Sequence, residues 1–158
     1  MELSTDILRR EHHRMERRLE RFEGELGNPQ GKGLVALART FAEIQAHLAS
    51  HVRKEEEVFY PALAPMLTAT DMEIGKLLDA HADIRETSAA FQDLLDRAQA
   101  AEVPDISVRA DLSSIGWELW NLIHHHITEE ENGLLAFADR QLDSSTQTQL
   151  TRRMQAEG

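Results

Sequence analysis

The chain has 158 residues, the size of one domain, and a formal net charge of −11. So acidic a balance argues against broad phosphate neutralisation, so neither nucleic acid nor an anionic membrane is an expected partner. Cysteine is absent, which removes disulfides, thiolate metal sites, iron–sulfur clusters and cysteine nucleophiles; any metal must rest on His and carboxylate ligands.

Hydrophobic residues make up 41% and aromatics 5%, enough for one core and better suited to helices than to sheets. No run of ~18 apolar residues occurs. The opening "MELSTDILRREHH" lacks the apolar stretch of a signal peptide, so a cytoplasmic protein is expected.

In chain order, Leu8, Met15, Leu19, Phe22 and Leu26 recur at helical steps with His12 filling the gap. Ser4 or Thr5 is placed to cap this first helix, and "GNPQGKG" ends it. A second stripe runs Leu37, Phe41, Ile44, Leu48, His51, Glu55, Phe59. Pro61 removes the bond to the Glu57 carbonyl and is expected to end or kink that helix. Thr70 with Glu73 reads as a capping box for a third helix. Its stripe is Ile74, Leu77 or Leu78, His81, Ile84, Phe91 and Leu94 or Leu95. A fourth helix, about Ser107 to Ala138, carries Leu112, Ile115, Leu119, Leu122, His126, Glu130 and Leu134. A short fifth helix follows Ser144, which can form a capping box with Gln147. The spacing predicts an all-α fold: an antiparallel up-down-up-down four-helix bundle over about 4–138, with a short C-terminal helix over about 144–156, all in one domain, 1–158.

The stripes repeat. His12 with Met15 corresponds to His81 with Ile84; "HVRKEEEVF" corresponds to "HITEEENGL". His51 thus matches His126, Glu55 matches Glu130, and Glu56 matches Glu131. Every long helix places one histidine on its core stripe, and two of them add a glutamate one turn later. In a helix, residues four apart share a face about 6 Å apart along the axis. A carboxylate can bridge two cations, whereas an imidazole terminates one. His12, His51, Glu55, His81, His126 and Glu130 are therefore the predicted metal ligands. Together they offer what two octahedral cations sharing an oxo or hydroxo bridge require, with solvent. Each residue alone has a plainer account, a hydrogen-bonded core histidine or a surface ion pair. Burying all six without a cation would leave unpaired charge in the core. Nitrogen and oxygen donors suit Fe, Mn or Zn, and bridging carboxylates favour iron.

The segments "LRREHHRM" (8–15), "HVRKEEEVFYP" (51–61), "AHADI" (80–84) and "HITEEENGLL" (126–135) resemble the hemerythrin-like, or HHE cation-binding, family. The resemblance implies a four-helix bundle around a non-haem di-iron centre. It also implies roles in binding or sensing oxygen, nitric oxide or iron, or in handling oxidative and nitrosative stress. By position His12, His51, His81 and His126 would be terminal ligands, and Glu55 and Glu130 would bridge. Two departures stand out. Arg85 occupies the place of a second histidine on the third helix. Glutamates stand both four (Glu130) and five (Glu131) residues after His126, where oxygen carriers have an aspartate at five. The internal repeat favours Glu130, with Glu131 the second choice. His47, one turn before His51, could supply a further nitrogen or stand outside the centre beside Glu43. Tyr60 could lie near the site or pack at the helix end, and packing is the plainer reading; His13 is read as solvated, and Trp117 and Trp120 as core or interface. The expected function is a di-iron protein that binds, senses or reacts with a small diatomic ligand or peroxide; the alternative is an iron-responsive regulatory or interaction module without turnover.

Overall fold

Helices form here because apolar side chains at three- and four-residue steps give each segment one face to bury. A computed structural model of the chain describes residues 2–68 and 74–158. The elements are α1 (Ser4–Leu26), α2 (Lys32–Lys54), α3 (Tyr60–Leu63), α4 (Ile74–Ala100), α5 (Ile106–Glu130), α6 (Ala136–Gln141) and α7 (Ser144–Glu157). Two π-helical turns, Glu55–Phe59 and Glu131–Leu135, join α2 to α3 and α5 to α6. No strand occurs among the described residues. The Thr70–Glu73 capping box lies outside the described residues.

The long helices pack as a bundle: α1 on α2, α4 on α5, α1 on α5 and α2 on α4. At Gly116, α5 comes close to its neighbours; a Cβ there would lie 2.4 Å from Leu26 Cδ2 and 3.1 Å from Phe91 Cε2. The helix α7 closes one end, packing Leu150 and Met154 beside Ile7, Leu8 and Phe59.

Both expected N-caps prove different. Neither Ser4 nor Thr5 caps α1, because both hydroxyls are used across the fold. Ser4 Oγ donates to Gln147 Oε1 at 2.5 Å, and Thr5 Oγ1 to Asp139 Oδ1 at 2.6 Å. The Leu3 N–H instead donates to Asp6 Oδ2 at 2.9 Å. Gln147 is thereby taken from the box with Ser144, and Asp143 caps α7 by accepting the Thr146 N–H at 2.7 Å.

Pro61 does not end the helical run, and the irregularity lies just before it. The chain passes through the π turn, where the Tyr60 N–H reaches back to the Glu55 carbonyl. Pro61 then falls in the first turn of α3, where its missing N–H leaves no bond unmade. The Glu57 carbonyl accepts from Arg153 of α7 at 3.4 Å.

On α5 and the π turn after it, the expected stripe is buried at Leu112, Leu119, His126, Glu130 and Leu134, and the buried face is wider than expected. Gly116, Ile123 and Ile127 are buried, while Ile115 and Leu122 are half-buried. On α4, Leu77 faces in and Leu78 out, and Leu94 and Leu95 are both buried.

The apolar core is split in two. One cluster gathers Met15, Phe22, Phe41, Phe91 and their neighbours. The other gathers Leu8, Phe59, Leu63, Leu134 and the α7 side chains. On every long helix the stripe histidine falls between the two: His12 between Leu8 and Met15, His51 between Ile44 and Val58, His81 between Leu77 and Ile84, His126 between Ile123 and Leu134. The bundle therefore carries a polar layer sandwiched between apolar ones.

Candidate metal centre

All six sequence-predicted ligand residues meet in that layer. His12, His51, His81 and His126 are buried, and Glu55 and Glu130 have no exposed surface. They form two overlapping groups whose ligand atoms lie within 4.8 Å of one another: His12, His51, Glu55 and Glu130; and Glu55, His81, His126 and Glu130. Both carboxylates belong to both groups, as expected of bridging ligands.

In the first group His51 Nε2 is 2.5 Å from Glu55 Oε1, and His12 Nε2 is 3.2 Å from Glu130 Oε1. These four atoms are buried yet make no well-oriented hydrogen bond. Close approach without directed bonding is what ligand atoms around a common point show, and buried polar atoms are rarely left so. In the second group His81 Nε2 is 2.9 Å from Glu55 Oε2, and His126 Nε2 is 3.5 Å from Glu130 Oε2. The His81 and His126 Nε2 atoms face each other at 3.0 Å. The donor set, imidazole nitrogens and carboxylate oxygens without sulfur, fits a pair of borderline or hard divalent or trivalent cations.

The outer ring nitrogens are held as well. His12 Nδ1 lies 3.0 Å from Glu131 Oε1, His51 Nδ1 2.9 Å from Glu11 Oε1, and His81 Nδ1 2.7 Å from Glu56 Oε2. A carboxylate on Nδ1 holds the proton there and leaves the Nε2 lone pair inward, the arrangement of a metal-binding imidazole. His126 Nδ1 has no such partner. The Glu11 carboxylate also accepts from the buried Lys54 ammonium.

Charge in the layer is balanced tightly. Burial alone would lower the His12 imidazole, but Glu130, Glu131 and Glu55 outweigh it and lift it to about 11. Burial likewise opposes charge on His51, while Glu55 and Glu11 raise it to about 9. Burial raises Glu55, yet His51 and the surrounding hydrogen bonds hold it well below the usual carboxylate range. Glu130 moves up, through burial and the neighbouring Glu55 charge. Burial raises Glu11, but His51 and Lys54 bring it down to about 2. The layer thus favours positive charge at His12 and His51, whether a proton or a metal ion carries it.

The run "HHHITEEE" resolves by exposure. The His124 side chain is 46% exposed and His125 74%, against 6% for His126. His124 stacks on Trp120, with ring centroids 4.8 Å apart, and meets Glu16 at 2.9 Å. His125 pairs with Glu129 on the solvent side at 3.2 Å. Glu131 holds His12 from outside, so its proximity to the centre is through an imidazole.

His47 belongs to neither ligand group. Its Nε2 faces the Glu11 carbonyl at 3.0 Å, and its ring stacks on His51. Burial, with His51 and Arg18 nearby, pushes it down to about 4, so it is neutral and donates. Arg85 points to the rim and pairs with Glu56 at 3.6 Å.

Tyr60 corrects the plain packing expectation. Its hydroxyl reaches Glu130 Oε2 at 2.5 Å and Glu55 Oε2 at 2.7 Å. Burial and those two carboxylates raise the phenol, which keeps its proton and shares it between them. Glu11 and Lys54 were also missed. The only sequence signal for the outer carboxylates was the repeated second glutamate, Glu56 and Glu131.

No curated protein matches the chain. The family model for the hemerythrin HHE cation-binding domain matches residues 3–138, a span that holds every residue of the layer and ends before α7. With four histidines and two shared glutamates gathered between its helices, the chain belongs to the hemerythrin HHE cation-binding domain family.

Proposed function

We propose that the layer holds two non-haem iron ions and that the protein uses them to bind, sense or react with a small oxidant: oxygen, nitric oxide or peroxide. The observation that carries this is the sharing of Glu55 and Glu130 between two histidine pairs. His12 and His51 would hold one ion, His81 and His126 the other, and the glutamates would span both. The paired carboxylates favour iron over zinc or manganese. When bound, the iron pair supplies redox-active centres able to take up a small ligand.

The chain's own residues set the conditions. Glu131, Glu11 and Glu56 hold three imidazoles in one tautomer. Tyr60 keeps a proton beside the shared carboxylates. The two apolar clusters keep bulk water out. The short connections 27–31, between α1 and α2, and 101–105, between α4 and α5, support an antiparallel up-down-up-down order, with α7 completing a single domain over residues 1–158. No described helix is long and apolar enough to cross a membrane.

Metal analysis after iron-replete expression tests the proposal. It predicts about two irons per chain and near-ultraviolet absorption that changes on adding oxygen, nitric oxide or peroxide. Only trace metal after reconstitution would reject it. Spectral change without turnover would assign a sensor or regulatory module rather than an enzyme.

A further inference from the structure

The end of the bundle away from α7 is built from the two short connections, 27–31 and 101–105, and the first turns of α2 and α5. The three most exposed large apolar side chains among the described residues all lie there: Val103 at 75%, Ile106 at 74% and Val35 at 57%. Scattered singly they would need no account, but gathered at one end they form a patch. Val35 lines a cleft of about 300 Å³ with Leu34, Pro104 and Val108, and its charged lining is Glu102, Asp105 and Arg109. Val103 and Ile106 adjoin those lining residues in the chain. The patch therefore has an apolar centre and a rim that carries both signs of charge.

Its charge balance sets it apart from the rest of the chain. Segments 27–35 and 98–109 hold Lys32 and Arg109 against Glu102 and Asp105, so they sum to zero, whereas the whole chain stands at −11. Arg109 is bonded to Gln30, and Asp105 caps α5. Lys32 and Glu102, one beside each connection, are exposed and make no ion pair among the described residues. A two-fold axis lying in this end face, across the line between the connections, would lay 27–35 of one copy on 98–109 of another. The unpaired cation of each copy then meets the unpaired anion of its neighbour.

We propose that this end face is a contact between two copies of the chain, paired end to end about that axis, with Val35, Val103 and Ile106 buried at its centre and Lys32 of each copy facing Glu102 of the other. A two-fold contact needs both members of every complementary pair on one patch, and this patch has them. A partner of a single charge sign gains nothing from a neutral face. Side-by-side self-association would bring together the flanks that carry the net negative charge. At 1.5 Å per residue, the 20 residues of α5 from Ile106 to His126 set the face about 30 Å from the histidine layer. Pairing there leaves the layer and α7 uncovered, and it does not depend on the metal-centre reading.

Sedimentation velocity of the full chain over a range of concentrations tests the contact. The wild type should approach twice the 17.9 kDa of one chain at high concentration and fall to that single mass on dilution. Val103→Asp and Ile106→Asp alter exposed side chains, so the fold should stand. Each should raise the dimer dissociation constant at least about tenfold, because symmetry puts two new charges into one apolar contact. Lys32→Glu and Glu102→Lys should each weaken pairing by setting like charges face to face. Combined in one chain they should restore it, since the pair re-forms with its signs exchanged. A single mass at every concentration would overturn the proposal. So would a dimer that survives both aspartates, or a double exchange that pairs no better than the single ones.

Discussion

The two flanks of the histidine layer begin from the same repeated motif and end up different. On the α1–α5 side, His12 is held by Glu131 in a cleft lined with arginines. On the α2–α4 side, His81 is held by Glu56 in a cleft that mixes Leu48, Val52 and Ile84 with Arg53, Glu57 and Arg85. The inner ligands are near-duplicates, and so are the carboxylates one shell out, which come from matching places in the repeat. What differs is what surrounds them: the His51 arm uses Glu11 backed by Lys54, and the His126 arm has no carboxylate. Duplication set the ligand geometry, while the outer contacts of each flank were free to differ.

The strongest way to break this comparison is to remove a residue both flanks share. Glu55→Ala takes a carboxylate from both groups and leaves buried imidazolium charge unpaired. It should lose both metals by metal analysis and cost about 3–5 kcal/mol in denaturant unfolding of the metal-free protein. Retention of either metal would show that the two groups do not share Glu55.

Removing one outer carboxylate at a time sharpens the comparison. Glu56→Gln and Glu131→Gln should each weaken metal binding by about 10–100-fold in competition with a chelator. Similar losses would show that the flanks are equivalent in holding metal and differ only in the lining of their clefts. A much larger loss on one side would show that their electrostatics differ as well.

Tyr60 sits over the shared carboxylates and belongs to neither flank. Tyr60→Phe removes a hydrogen bond to a charged group and should cost about 1.5 kcal/mol. Both metals should remain, with a shifted absorption spectrum. An unchanged spectrum would place the phenol outside the centre's influence.

The smallest expected effect is at the arginine-lined edge. Burial raises Asp139, but Arg9 at 2.7 Å and Thr5 at 2.6 Å hold it below the ordinary carboxylate range. Because the folded value is depressed, its stabilisation is complete above the unfolded value of about 3.9 and fades as pH falls through the folded one. Asp139→Asn should cost about 0.2–1 kcal/mol at neutral pH. The difference from wild type should shrink toward zero in acid, as followed by thermal unfolding.

Much of the fold and the inner site was legible in the sequence for one reason: helical periodicity is local. Stripe spacing on α1 picked out Leu8, His12, Met15, Leu19, Phe22 and Leu26, all of them buried. The repeat then chose Glu130 over Glu131, and the shared ligand groups contain Glu130. Spacing failed where a neighbour sets the rotation or the cap. The α5 face gained Gly116, which comes close to Leu26 and Phe91, and Ser4 and Gln147 left their caps to bond each other.

By itself the sequence determined the helical class, the repeated His-x-x-x-Glu pattern and the six side chains of the layer, because each follows from turns of one helix. The tertiary structure alone decided the π turn that lets Pro61 follow Glu55, the phenol over the shared carboxylates, and the seating of Glu11 against His51. It alone also set the lining of the two clefts, with Arg9, Arg10 and Arg17 in one and Leu48, Val52 and Ile84 among charged side chains in the other. Those features join residues from different helices, and their partners are chosen by packing, which periodicity along one helix does not encode.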